Sequence, residues 1–102
     1  MTKGEETLCA GFLMLGRSCE QTNQPDDAIE YYEKVVEMGF DGNFPYDRLC
    51  VLYRKMKRRE DEERILLRAI DVFTNIVPPE RSDREPKLKK FKDRLAKLEA
   101  KP

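Results

Sequence analysis

The amino-acid sequence predicts an all-α protein: two antiparallel helix hairpins followed by a fifth, capping helix. Three observations carry that expectation. Apolar residues recur at intervals of three and four along most of the chain, which aligns them on one side of a helix with 3.6 residues per turn. Proline, glycine and asparagine gather at residues 23–25, 39–45 and 78–79, dividing the chain into helix-length pieces. The charged fraction of 39% leaves apolar material only for narrow helical stripes, which suits an array of amphipathic helices within a single domain of 102 residues.

The first helix is expected over residues 5–22, where Leu8, Phe12, Leu15 and Cys19 form one apolar seam at spacings of four, three and four. Gly11 and Gly16 interrupt it. Glycine inside a helix costs about 0.5–1 kcal/mol relative to alanine, so a glycine on a packing face implies a neighbour too close for a side chain. Residues 23–25 turn the chain into a second helix, over residues 25–39, which buries Ala28, Tyr32 and Val35 and leaves Glu30, Glu33, Lys34 and Glu37 wet. Pro25 suits its first turn, Asp26 and Asp27 face the positive end of its dipole, and Gly39 suits a left-handed cap. Helix, short turn and helix make an antiparallel hairpin.

Residues 39–45 have a loop composition, and Pro45 can open a third helix over residues 45–58 that presents Leu49, Leu52, Tyr53 and Met56. A tight turn near Arg59 leads into a fourth helix over residues 61–75, presenting Ile65, Ala69, Val72, Phe73 and Ile76; Pro78 and Pro79 forbid its continuation. Residues 78–83 are a linker. Ser82 or Asp83 is expected to cap a last helix over residues 84–100, and Ser82 with Glu85 has the capping-box spacing. Leu88, Phe91, Leu95 and Leu98 form its single apolar stripe, as the closing element of a helical array requires. Of the tyrosines, Tyr31 and Tyr46 are expected to be partly exposed and Tyr32 and Tyr53 to belong to the core.

Composition also bounds the chemistry. The chain has no histidine, which removes the commonest general base and metal ligand, so Ser–His and Cys–His catalysis are excluded and no enzyme is expected. Carboxylate pairs such as Asp26–Asp27 and Glu62–Glu63 stand at helix starts, where dipole and solubility explain them. Cys9, Cys19 and Cys50 cannot all pair internally and match no zinc spacing; they read as core or near-core thiols, with Arg54 one turn from Cys50. No cofactor or metal is expected. No apolar run reaches membrane-spanning length, and the short segment 8–15 follows Glu5 and Glu6 where a signal peptide needs positive charge, so a soluble cytoplasmic protein is expected. The formal net charge of zero hides an asymmetry: up to Asp47 ten acids face three bases, a net of −7, and the remainder carries +7.

The two hairpins repeat one pattern. The first has Phe12, Leu15, Gly16 and Cys19 followed by Ala28, Tyr32 and Val35; the second has Leu49, Leu52, Tyr53 and Met56 followed by Ile65, Ala69 and Val72, with identical spacings inside each helix. This pattern resembles the tetratricopeptide repeat, most of all in the Asp-Ala-Ile-Glu-Tyr-Tyr-Glu-Lys segment at residues 27–34. The resemblance covers repeat one at residues 9–42 and repeat two at residues 46–77. It implies a right-handed α-α superhelix in which Gly16 and Ala28 let two backbones approach and Tyr32 fills space toward the next hairpin. Tyr53, Ile65 and Ala69 depart from the family's residues, so a wider-packed second repeat is expected. Gly16 and Tyr53 lie 37 residues apart against about 34 for the family, an excess assigned to the loop at residues 39–46.

The resemblance further implies a non-enzymatic scaffold that holds a peptide on the concave surface of the first helix of each hairpin. The residues placed there are Leu13, Arg17, Glu20 and Gln21 from the first helix and Cys50, Arg54, Lys57 and Arg58 from the third. Such a groove would be mainly basic and suited to an acidic peptide, with Arg17, Arg54 and Lys57 as carboxylate partners and Leu13 for an apolar side chain. The family's carboxylate clamp needs Lys and Asn where this chain has Leu13 and Arg17, and that specificity is not expected. Arg54, Lys55, Lys57, Arg58 and Arg59, extended by Lys87, Lys89, Lys90, Lys92 and Arg94, form the alternative, a phosphate-contacting surface, although no nucleic-acid motif is present. No membrane partner is expected; the chain is read as a monomer or as a homodimer joined through its opposed charges.

Overall fold

The computed structural model describes residues 1–101, among which it contains five α-helices and no strand. These are α1 (Lys3–Gln21), α2 (Pro25–Glu37), α3 (Phe44–Lys55), α4 (Arg59–Asn75) and α5 (Arg84–Glu99). No helix among the described residues is long and apolar enough to cross a membrane.

The helix ends follow from local chemistry. Thr2 and Glu5 form a reciprocal capping box, which starts α1 two residues earlier than expected. Asn23, Gly39 and Lys57 take left-handed φ values of 57°, 73° and 59°. After each, the next N–H reaches back to a carbonyl of the last turn: Gln24 to Cys19 at 2.7 Å, Phe40 to Val35 at 3.4 Å and Arg58 to Tyr53 at 2.9 Å. The left-handed Lys57 corrects the expected boundary, since α3 stops at Lys55 and α4 begins at Arg59. Ser82 and Glu85 form no capping box. Asp83 occupies the cap position, and its carboxylate is instead held by Arg81 and Lys87.

Bridges between helices advance in step. Arg17 lies over Phe44 and Glu20 binds Arg48, so α1 and α3 run parallel. Glu33 binds Arg64 and the carbonyls of Val36 and Glu37 receive Arg68, so α2 and α4 run parallel as well. Asp47 binds Arg94, and Arg54 shares a recess with Leu98 and Lys101, which aligns α5 with α3. The result is two layers, α1, α3 and α5 against α2 and α4, with extents of 37 × 36 × 18 Å. Its thinnest dimension is about two helix diameters.

The core between the layers contains Tyr32, Tyr46, Leu49, Tyr53, Ile65, Leu66, Phe73 and Phe91, all fully or almost fully buried. Leu88, Phe91 and Leu98 of α5 close it as expected, Phe91 meeting Phe73 edge-on at 5.3 Å. Tyr46 is fully buried, not partly exposed, because its hydroxyl donates to the carbonyl of Phe40 and ties down the loop before α3. Ile76 is half exposed, and Val77 fills the core in its place.

The larger correction concerns α1. Leu8 and Leu15 are 50% and 47% exposed, and the inward face centres on Cys9 and Gly16, with Phe12, Leu13, Cys19 and Glu20 half-buried beside them, so the face turns from the expected seam by less than the roughly 100° of one residue. The cause lies on α2. A Cβ at Gly16 would sit 2.5 Å from the Tyr32 ring, so only the glycine face admits that ring against the helix. In the second hairpin the sizes are exchanged: Tyr53 stands at the Gly16 position and Ala69 at the Tyr32 position, and both are buried. The extra length between hairpins falls in the six residues 38–43, against three in each intra-hairpin turn.

Candidate functional site

The outer surface of α1 and α3 joins one constellation. The Arg17 guanidinium lies 5.6 Å above the Phe44 ring. Phe44 meets the edge of Tyr32 at 5.9 Å, and the Tyr32 hydroxyl donates to Glu20 at 2.6 Å. Glu20 in turn accepts three bonds from Arg48, the shortest at 2.5 Å. Beyond Glu20, a recess of about 250 Å³ opens between Asn23, Pro25, Leu52, Lys55 and Met56. Its floor is apolar, and Glu20 and Lys55 carry charge at its edge.

Glu20 connects this surface to folding. Burial pushes its carboxyl upward and is the largest single influence, but the bonds from Arg48 and Tyr32 together outweigh it and hold the group below its ordinary value. The Tyr32 phenol is raised by burial and by its bond to the Glu20 carboxylate. Both groups therefore keep their physiological charge states, and no acid–base pair poised near neutrality arises here.

The eight residues expected in the groove separate. Leu13 is half-buried against the core, while Arg17 and Gln21 are exposed and Glu20 is committed to Tyr32 and Arg48. Cys50 is fully buried and cannot touch a peptide; burial, chiefly, and the charges of Glu62 and Asp47 push its thiol up to about 12, Arg94 and Arg54 acting the other way. Arg54 binds Glu62, whose side chain is only 4% exposed, so it neutralises a buried carboxylate of α4. Lys57 serves the left-handed turn. Arg58 leaves the groove for the other layer, where it lies 4.7 Å over Tyr53, pairs with Asp61 and lines a recess with Asp26, Ile29, Glu30 and Glu33.

No family model, curated protein or solved structure matches this chain. The site therefore rests on its own geometry. Phe44 and Arg48 belong to it and were not expected from sequence, and Lys55 was expected only in the alternative, phosphate-contacting surface. Phe44 and Arg48 face α1 because α3 is parallel to it and shifted by about 28 residues, as the Glu20–Arg48 bond shows. A helical-wheel search of α3 for charges opposite Glu20 would have found Arg48; nothing local marks Phe44.

Proposed function

We propose that this protein is a non-enzymatic scaffold of the tetratricopeptide type, two repeats and a capping helix, that holds a partly acidic peptide segment on the α1 and α3 face. The observation that supports it best is the pair Arg17 and Lys55. Among the described residues neither takes part in an ion pair, and they stand on either side of Glu20, Arg48 and the apolar recess. A carboxylate could bind each cation while an apolar side chain enters between Leu52 and Met56. The groove is less basic than its composition implies, because Glu20 and Glu62 offset Arg48 and Arg54. Free thiols at Cys9, Cys19 and Cys50 support a reducing, cytoplasmic setting.

The test is an amide-resolved NMR titration with short acidic peptides at low and moderate salt. Saturable shifts around Leu13, Arg17 and Lys55, and a loss of about 1–3 kcal/mol in affinity for Arg17→Ala, are expected. Diffuse shifts, or unchanged affinity in that variant, would remove the groove reading.

A second reading, self-association, is favoured by one feature. Leu8, Gly11 and Leu15 form an exposed, uncharged stripe on α1, and nothing lies within 4 Å of a Cβ placed at Gly11. The phosphate-contacting reading has less support: Arg54 and Arg58 are paired with Glu62 and Asp61, and Arg59 binds the carbonyls of Leu98 and Lys101.

A further inference from the structure

Near the start of α1, the Cys9 sulfur contacts the sulfur atoms of two methionines. Cys9, in the second turn of α1, places its Sγ 3.8 Å from the Sδ of Met38 at the end of α2 and 4.0 Å from the Sδ of Met1. Met1 and Met38 line a recess of about 670 Å³, and the carboxylate residues Glu5, Glu6 and Asp41 line it with them. Cys9 lies fully buried behind them.

We infer that Cys9, Met1 and Met38 form a binding site for a soft monovalent metal ion, copper(I) or its analogue silver(I). Thiolate and thioether sulfur is the donor set that selects copper(I) over harder cations. Both separations from the Cys9 sulfur agree with that choice: in a planar three-coordinate site, metal–sulfur bonds of about 2.3 Å set neighbouring sulfur atoms about 4 Å apart. Zinc is disfavoured, since it takes four ligands and prefers thiolate or imidazole to neutral thioether. Among the described residues, no group of three or more cysteine, aspartate and glutamate side chains offers an alternative hard-donor site.

Binding forms three sulfur–metal bonds and breaks the Cys9 S–H bond, whose proton leaves to solvent; no electron is exchanged. Glu5, Glu6 and Asp41 line the recess beside the sulfur atoms, and their negative field favours a cation there. The acidic recess supplies both attraction and a path inward. Sequence spacing hides the site, because the donors are separated by 8 and 29 residues.

The test is anaerobic titration of the Cys19→Ser protein with copper(I) buffered by bicinchoninate, with X-ray absorption at the copper edge. One copper per chain and three sulfur neighbours are expected. Met38→Leu keeps the side-chain volume and so the fold; losing a ligand should cost at least the factor of about 10–100 typical for loss of an outer-shell partner. Cys9→Ser should abolish binding, with thermal melts showing that each variant is folded. Equal affinity in Met38→Leu, a two-sulfur spectrum, or no copper held against the chelator would each overturn the inference.

Discussion

Replacing Gly11 and Gly16 by alanine, one at a time, makes the same chemical change five residues apart on one helix and should produce opposite results. Helix propensity alone favours alanine by about 0.5–1 kcal/mol at each position. At Gly11 nothing lies within 4 Å of the added Cβ, so that gain should be realised in full. At Gly16 the Cβ would meet three atoms of the Tyr32 ring at 2.5, 2.8 and 2.9 Å. Carbon atoms in contact prefer about 3.5–4.0 Å, so the ring must retreat by about 1 Å. It has nowhere easy to go: Tyr32 is fully buried, meets Phe44 edge-on and is bonded to Glu20. Overpacking costs about 1–3 kcal/mol, and weakening a charged hydrogen bond worth about 1.5–3 kcal/mol adds to it. After the helical gain, Gly16→Ala should still lose about 1–3 kcal/mol, lowering Tm by roughly 5–20 °C, while Gly11→Ala raises it by several degrees. Urea unfolding with unchanged slopes measures both. Adding Tyr32→Leu should shrink the Gly16 penalty. If both alanines shift the midpoint in the same direction, the account of how α1 docks is wrong.

Lys57→Gly should stabilise the domain by about 0.5–1 kcal/mol, because a side chain at φ 59° costs about 1–2 kcal/mol and glycine's greater unfolded freedom returns part of it; a lower urea midpoint would contradict the left-handed turn. The depressed Glu20 carboxyl contributes stability that is present above its unfolded value of about 4.3 and is lost as pH falls through the lower folded value. Midpoints recorded from pH 7 to pH 3 should therefore fall less steeply below about pH 4 for Glu20→Gln than for the parent, and parallel curves would show that the Arg48 and Tyr32 bonds do not stabilise the fold.

Where local pattern and tertiary demand coincide, the sequence was legible. Ala28, Tyr32 and Val35 of α2, Ile65, Ala69 and Val72 of α4, and Leu88, Phe91 and Leu98 of α5 recur at helical spacing and are the residues that become buried. Gly39 lies at the left-handed position that its lack of a side chain suits. In α1 the two conflicted. Leu8 and Leu15 make the more apolar stripe, yet the helix docks through Gly16, because the preference is set by a ring on another helix and not by α1 itself. The candidate site was legible in Arg17 and Gln21, which lie outward on α1, and in Glu20, which is half-buried beside them. It was not legible where partners come from afar: Glu62 claims Arg54, Asp61 and Tyr53 draw Arg58 to the other layer, and the packed array encloses Cys50.

By itself, then, the sequence determined five helices, their order, their turns and most of their buried faces, since these follow from periodicity and from the backbone preferences of proline, glycine and asparagine within a few residues. Only the tertiary structure decided the rotation of α1, the union of Arg17, Phe44, Glu20, Arg48 and Lys55 on one surface, and the meeting of Cys9, Met1 and Met38. Each of these depends on groups from different helices or loops, far apart in the chain, finding complementary size, charge or softness, which no local pattern encodes.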